Sequence, residues 1–536
     1  MRTNPLPQPA DGPLILTIDA GTSSTRARLY DAAGAAVPGV AAQTPHPARD
    51  LPDGAAEDDP DAALDRIFRC LDAALAQAGP LAARIAAVAV TTLATTFIAL
   101  GRDGRPLTPL ITYADTRNDG DAAALRRRLN ERTTHQRTGC LLRTSYWPAR
   151  LAWLRRTHPD VWRRAARFVT LGEYLELALF GRCRVSYSAA SWTGLLNRHT
   201  LQWDAPLLQA LDVSPEQLSD LADLSARISG MLPAHALRWP GLAGVPWLPA
   251  IGDGAAANIG SGCADEHRIA LTVGTTGAVR VVLADAGPTA AGRRTVDTGR
   301  RAAGGGPGKG DDPEGQGGAL PLPEGLWLYR VDGRRALLGG ATSEGGNVFA
   351  WMRATLRLGP GDDLEAALAA LPPDSHGLTI LPLFAGERSP GWAGAARAAI
   401  TGLSLGTTPL EILRAGLEAV AYRFALIAAQ LPQAGDAMFV ASGGAILSSP
   451  AWLQIVADTL GRPVVASAER EASSRGAALL ALEALGVIPS VAVLPAPLGA
   501  TYTPDAARHA VYQAAVARQQ RLYERLISRS DPEGAA

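Results

Sequence analysis

The stretch that decides the fold is Leu14-Ile15-Leu16-Thr17-Ile18-Asp19-Ala20-Gly21-Thr22-Ser23-Ser24-Thr25-Arg26-Ala27-Arg28-Leu29-Tyr30. Leu14 to Ile18 is a short apolar run of the buried-strand type. A tight polar loop follows from Asp19 to Thr25. Alternating Arg26 to Tyr30 then resumes as a strand, and Asp31-Ala32-Ala33-Gly34 turns the chain again. The segment predicts a β-meander whose first turn is rich in hydroxyls and glycine. Beyond it, Asp61 to Ala78 predicts an amphipathic helix and Ile85 to Val90 the next strand.

The same grammar returns much later. Ile269 to Val273 reads as a strand, Gly274-Thr275-Thr276-Gly277 as the loop and Ala278 to Leu283 as the returning strand. Two such hairpins predict a duplicated fold with a cleft between its halves. Glu411 to Leu431, Trp452 to Leu460 and Arg475 to Leu485 carry helical patterns. The chain's low-complexity sequence is concentrated between residues 284 and 325, which predicts a flexible surface insertion. Its glycines do not make a Walker loop, because Lys309 has no Ser or Thr after it.

With 536 residues the chain exceeds one ordinary core and suits two large domains. Lys plus Arg and Asp plus Glu both total 51, so no global field points to nucleic acid or an anionic membrane. Cys70, Cys140, Cys183 and Cys263 are scattered, as suits reduced buried thiols in a cytoplasmic protein. The polar, proline-rich start lacks a signal-peptide core, and the longest apolar run, Ile85 to Leu100, is too short to span a bilayer.

Phosphoryl transfer requires N–H groups and hydroxyls around the phosphates, a magnesium ion and a carboxylate for the acceptor hydroxyl. The first loop offers small donor residues next to Asp19, which could hold hydrated magnesium. Gly274, Thr275 and Thr276 could cradle the other side of the phosphates, although either loop alone could be only a turn. Asp253, in Gly252-Asp253-Gly254, lies where a strand runs into a small-residue helix and reads as a helix cap or as a general base. Asp115 and Arg117 read as a surface ion pair or as a clamp for vicinal hydroxyls. Ser442-Gly443-Gly444 would let backbone approach a flat nucleotide.

The order of these pieces resembles the FGGY carbohydrate kinases, over roughly residues 14 to 486. Arg150-Leu151-Ala152-Trp153-Leu154 is similar to the family's K-L-x-W-L, with Arg in place of Lys. Ser188 to Leu195 followed by Trp203-Asp204 is similar to its S-x-A-S-x-T-G-L…W-D run, and Leu381 to Pro390 to its G-E-R-x-P segment. Ala398 to Glu418 fits a second family signature except at Gly416, where a larger residue is customary. Gln454…Ala457-Asp458 completes the nucleotide-side pattern.

The resemblance implies an α/β fold of two ribonuclease-H-like, actin-like ATPase domains with a nucleotide cleft between them. After a disordered lead over residues 1–13, it assigns 14–260 to sugar binding and 261–530 to ATP. Asp253 would be the catalytic base and Asp19 the magnesium ligand. Thr22, Ser23 and Arg26 would lie beside the phosphates, Gly274, Thr275 and Thr276 around the transferring group, and Gly443 and Gly444 behind the adenosine. Asp115 and Arg117 would contact sugar.

Leu93-Ala94-Thr95-Thr96 stands where xylulokinases carry Q-M-H-G, which speaks against xylulose. Gly339 to Asn347 looks most like gluconate kinases, and its Gly345 and Gly346 join the nucleotide-side residues. The expected reaction is ATP- and Mg2+-dependent phosphorylation of D-gluconate to 6-phosphogluconate, with Arg117, Arg143 and Arg150 as candidates for holding the carboxylate. A xylulokinase or another ketose or polyol kinase is the alternative, and a sugar sensor or actin-like ATPase the non-enzyme reading. A homodimer stays open.

Overall fold

The computed structural model describes residues 12–46, 53–284, 322–358, 361–432 and 437–527. Most of the N-terminal lead and of the 284–325 insertion lies outside the described residues. Leu322, at the end of that insertion, is buried and its carbonyl accepts from Gln136 Nε2 at 2.8 Å, so the chain is anchored before position 325.

The first sheet takes its strands from β1 (Leu14–Ala20), β2 (Ser24–Tyr30), β3 (Ala36–Pro45), β4 (Ile85–Thr92) and β5 (Ile251–Gly252), in the order β5-β4-β1-β2-β3. The second contains β6 (Arg268–Val273), β7 (Gly277–Ala284), β8 (Trp327–Arg330), β9 (Arg335–Thr342), β10 (Met438–Ser442), β11 (Val464–Ser467) and β12 (Leu498–Tyr502). Its order is β8-β9-β7-β6-β10-β11-β12. Within it the run β11-β10-β6-β7-β9 repeats the first sheet: an antiparallel meander, then parallel strands on its inner side. The duplication read from two hairpins is therefore a duplication of whole sheets.

Every side chain of β1 is buried, as expected of a central strand covered on both faces. The helices used below are α1 (Pro60–Ala78), α2 (Tyr187–Thr193), α3 (Asp253–Gly260), α4 (Gly346–Thr355), α5 (Pro409–Ala428) and α6 (Ala472–Ala484). In α1 the Asp59 side chain caps Ala62 N–H, and Ala63, Leu64, Ile67, Leu71 and Ala74 form the buried stripe. The helix expected over 411–431 runs from Pro409 to Ala428: a Thr408–Glu411 capping box starts it early, and Pro432 discourages helix just before itself.

The two halves meet where α3 crosses α6. A Cβ at Gly260 would stand 1.8 Å from the Ala472 carbonyl oxygen, and one at Gly476 would stand 1.8 Å from that of Ala256. Only glycine allows backbones this close. The four cysteines are free and buried, as expected. No helix among the described residues is long and apolar enough to cross a membrane.

Candidate active site

The parallel strands of the first sheet deliver two carboxylates to one edge. Asp19, in register with Thr91, is buried and accepts from Thr91 Oγ1 at 2.8 Å. Ile251 is in register with Thr91 on the other side, and two residues later Asp253 opens α3. The cap position belongs to Gly252, so the helix-cap reading of Asp253 does not hold; its Oδ1 accepts from Gly254 N–H at 2.7 Å. Burial, and next the negative charge of Asp19, push the Asp253 carboxyl up to about 6. Burial likewise raises Asp19, against the pull of Thr91 and Arg26.

The first hairpin turn closes through Gly21 N–H to the Ser24 carbonyl at 3.1 Å, leaving Thr22 and Ser23 exposed. Arg26 lies 3.4 Å from Asp19 and 3.7 Å from Glu471, a residue of the other half. Thr275 and Thr276 are exposed in the matching turn of the second sheet, closed by Gly274 N–H to the Thr276 carbonyl at 3.0 Å.

The start of α4 donates to that turn, Gly346 N–H to the Gly274 carbonyl at 2.7 Å and Asn347 N–H to the Thr275 carbonyl at 3.1 Å. A Cβ at Gly345 would meet the Thr276 carbonyl carbon at 2.7 Å, and one at Gly346 the Ala445 Cβ at 2.5 Å. These two glycines therefore seat the turn. Gly443, at φ +99, packs against the Val273 carbonyl, whereas a Cβ at Gly444 would meet nothing within 4 Å. Gly444 is the one of the pair that faces open space.

The sugar-side residues divide differently. Both Asp115 oxygens are engaged, by Ala56 N–H at 3.1 Å and by the backbone and guanidinium of Arg117. Arg117 also bonds Glu57 at 2.9 Å and covers the Trp153 ring. Arg143 pairs with Glu131. Arg150 is buried, donates to the carbonyls of Thr95 and Thr112, and is pushed down to about 9 by burial. Each of these three arginines thus has protein acceptors that spacing along the chain could not reveal, while Arg150 Nε, buried, has none among the described residues.

An aromatic wall beside Asp253 escaped the sequence reading. Trp192, in α2, packs on Gly252 and Gly254, where an added Cβ would lie 2.7 and 2.9 Å from its ring. Trp192 stacks on Tyr329 at 4.0 Å, and Tyr329 on Trp327 at 4.2 Å. The Tyr329 hydroxyl meets that of Tyr146 at 2.6 Å. The S-A-A-S-W-T-G-L segment was the available signal for Trp192; nothing in the sequence pairs it with Tyr329.

Exposed hydroxyls in two matching turns and the raised carboxyl of Asp253 suit phosphoryl transfer, and the duplicated sheet is that of the actin-like ATPases. Residues 14–260 match the N-terminal domain of the FGGY family of carbohydrate kinases, and residues 319–485 match its C-terminal domain. The chain belongs to this family, and as a member it is a phosphotransferase that takes a sugar substrate and ATP.

It is 27% identical over 501 residues to a gluconokinase of Bacillus subtilis, covering 91% of both chains. It is 34% identical over 486 residues to a glycerol kinase of Ralstonia nicotianae, covering 88% of this chain and 90% of that one. Among solved structures, a gluconate kinase and a ligand-bound xylulose kinase, both of Lactobacillus acidophilus, are each 25% identical with a TM-score of 0.82. Each match covers 96% of this chain and 98% of the other.

Proposed function

We infer that the protein transfers the γ-phosphoryl group of ATP to the primary hydroxyl of D-gluconate, giving 6-phosphogluconate and ADP. The observation that carries this reading is Asp253, a carboxylate raised to about 6 by burial and by Asp19, whose strand leads into the turn that exposes Thr22 and Ser23. Similarity to gluconokinases over nine-tenths of both chains supports the choice of acceptor.

In this reading residues 14–260 hold the sugar in the main, and ATP lies between them and residues 261–530. Asp253 takes the proton from the acceptor hydroxyl as its oxygen attacks the γ-phosphorus, and the bond to the ADP oxygen breaks. Thr22, Ser23, Thr275 and Thr276 bond the phosphate oxygens, while Gly444 leaves room behind the adenosine. Asp19, a carboxylate at a polar edge with Arg26 near one oxygen, has the hard oxygen donor that magnesium prefers. Magnesium bound there would offset the phosphate charge. Closure of the halves about the α3–α6 crossing would exclude water.

A coupled ADP-release assay comparing kcat/KM for D-gluconate, D-xylulose, D-ribulose and glycerol tests the assignment. Gluconate is expected to lead, and preference for any of the neutral substrates ends the gluconate reading.

A further inference from the structure

Several buried arginines of this protein face a carboxylate: Arg414 faces Glu418, Arg423 faces Glu387 and Arg335 faces Asp332. Among the described residues Arg280, like Arg150, pairs with no carboxylate, but it differs from Arg150 in lying near the charge of Asp253. It is 7% exposed, and its guanidinium donates to the Gly254 carbonyl at 3.2 Å and to Thr272 Oγ1 at 2.9 Å, both neutral acceptors. Its Nε is buried with no hydrogen-bond partner. A guanidinium carries five N–H donors, so this one retains unpaired N–H groups, and the one charge near it that acts in its favour, Asp253, makes no hydrogen bond to it among the described residues.

The surroundings make room for it. A Cβ at Gly254 would stand 2.6 Å from Arg280 Nη1, and one at Gly339 would stand 2.8 Å from Arg280 Cγ. Arg280, Gly339 and Trp327 lie in one row across β7, β9 and β8, and Trp327 belongs to the aromatic wall. Gly254 follows Asp253 and packs on Trp192. The guanidinium therefore lies between the Gly254 carbonyl, next to Asp253, and Thr272, whose hydroxyl meets that of Ser442 at 3.1 Å, and neither of its bonds goes to the Gly21–Ser24 or Gly274–Thr276 turns.

We propose that Arg280 reads the carboxylate of a sugar-acid acceptor, its unpaired N–H groups forming the charge-assisted bonds that select an aldonate over the alditol of equal length. This rests on the sugar-acid reading above and names the residue responsible for it. A desolvated guanidinium with unpaired N–H groups binds a carboxylate in fork geometry, and a neutral hydroxymethyl group in its place leaves those donors without an anion.

The test compares kcat/KM for D-gluconate and D-glucitol, which differ only where a hydroxymethyl group replaces the carboxylate, in wild type, Arg280→Gln and Arg280→Lys. ADP titration calorimetry reports folding of each variant. The gluconate-to-glucitol ratio is expected to fall at least roughly thirtyfold in Arg280→Gln. In Arg280→Lys, which keeps charge and packing but loses the fork, it falls about tenfold, so a fold-defective glutamine variant leaves the test intact.

An unchanged ratio overturns the proposal. That includes an equal loss of kcat on both substrates, the sign of a phosphoryl-side or packing role. If the wild type favours another aldonate over its alditol and the variants abolish that preference, gluconate is wrong and Arg280 stands. A wild type that prefers neutral substrates throughout overturns both.

Discussion

Asp19 and Asp253 flank a single strand: Thr91 of β4 is in register with Asp19 on one side and with Ile251, two residues before Asp253, on the other. Asp19 is the neighbouring charge that most raises the Asp253 carboxyl. The pair sits at the carboxyl ends of parallel strands, where open α/β sheets bind their ligands.

Asp253→Asn should lower turnover at least roughly a hundredfold while ADP affinity is kept. It should also stabilise the fold at neutral pH. The folded carboxyl titrates near 6 against an ordinary 3.8, so the folded state favours the protonated form. That contribution is fully present below 3.8 and is lost as pH rises through 6. Above that point the charged form costs on the order of 3 kcal/mol, which asparagine removes. Urea unfolding at pH 7.5 and at pH 4 checks it: the gain appears only at the higher pH.

Asp19→Asn removes the charge next to Asp253, so the Asp253 carboxyl should titrate below about 6 in the free enzyme. Infrared difference titration of the carboxyl band reads this directly. In the same variant the magnesium concentration at half-maximal rate should rise roughly tenfold or more, without a matching change in sugar KM. An unmoved magnesium titration removes Asp19 from the metal role.

Adjacent glycines should behave oppositely. Gly443→Ala forces a Cβ to 2.4 Å from the Val273 carbonyl oxygen at φ +99, and should destabilise the protein by roughly 1–3 kcal/mol. Gly444→Ala meets open space and should leave the melting temperature alone while weakening ADP binding. Calorimetric melting and ADP titration of the two variants separate the roles.

Arg150→Met should act on stability and not on substrate choice. It leaves the carbonyls of Thr95 and Thr112 without their buried donor, a loss of roughly 2–4 kcal/mol. The gluconate-to-glucitol ratio of the surviving enzyme should match that of the wild type; a collapsed ratio would make Arg150 a carboxylate anchor after all.

Much of this architecture is legible along the chain because it is local. The strand–turn–strand pattern of Leu14 to Tyr30 and its repeat at Ile269 to Leu283 name both hairpins, and the observed strands fall on them. The Gly-Asp-Gly setting of Asp253 likewise marks a strand passing into a helix, as found. The partners of the arginines were not legible in the same way, because a guanidinium's partner is set by what folding brings near it. Glu131 lies 12 residues from Arg143, and Thr95 lies 55 from Arg150.

The sequence by itself determined the two hairpins, the catalytic carboxylate candidates and the family, since periodicity, turn chemistry and ordered motifs are written in neighbouring residues. Only the tertiary structure decided which polar groups remain unspent. Trp192 meets Tyr329 across the halves, and Arg280 lies near the charge of Asp253 while both its hydrogen bonds go to neutral acceptors. Desolvation and charge pairing depend on distance in space, and residues far apart in the chain become neighbours only when the two sheets close upon each other.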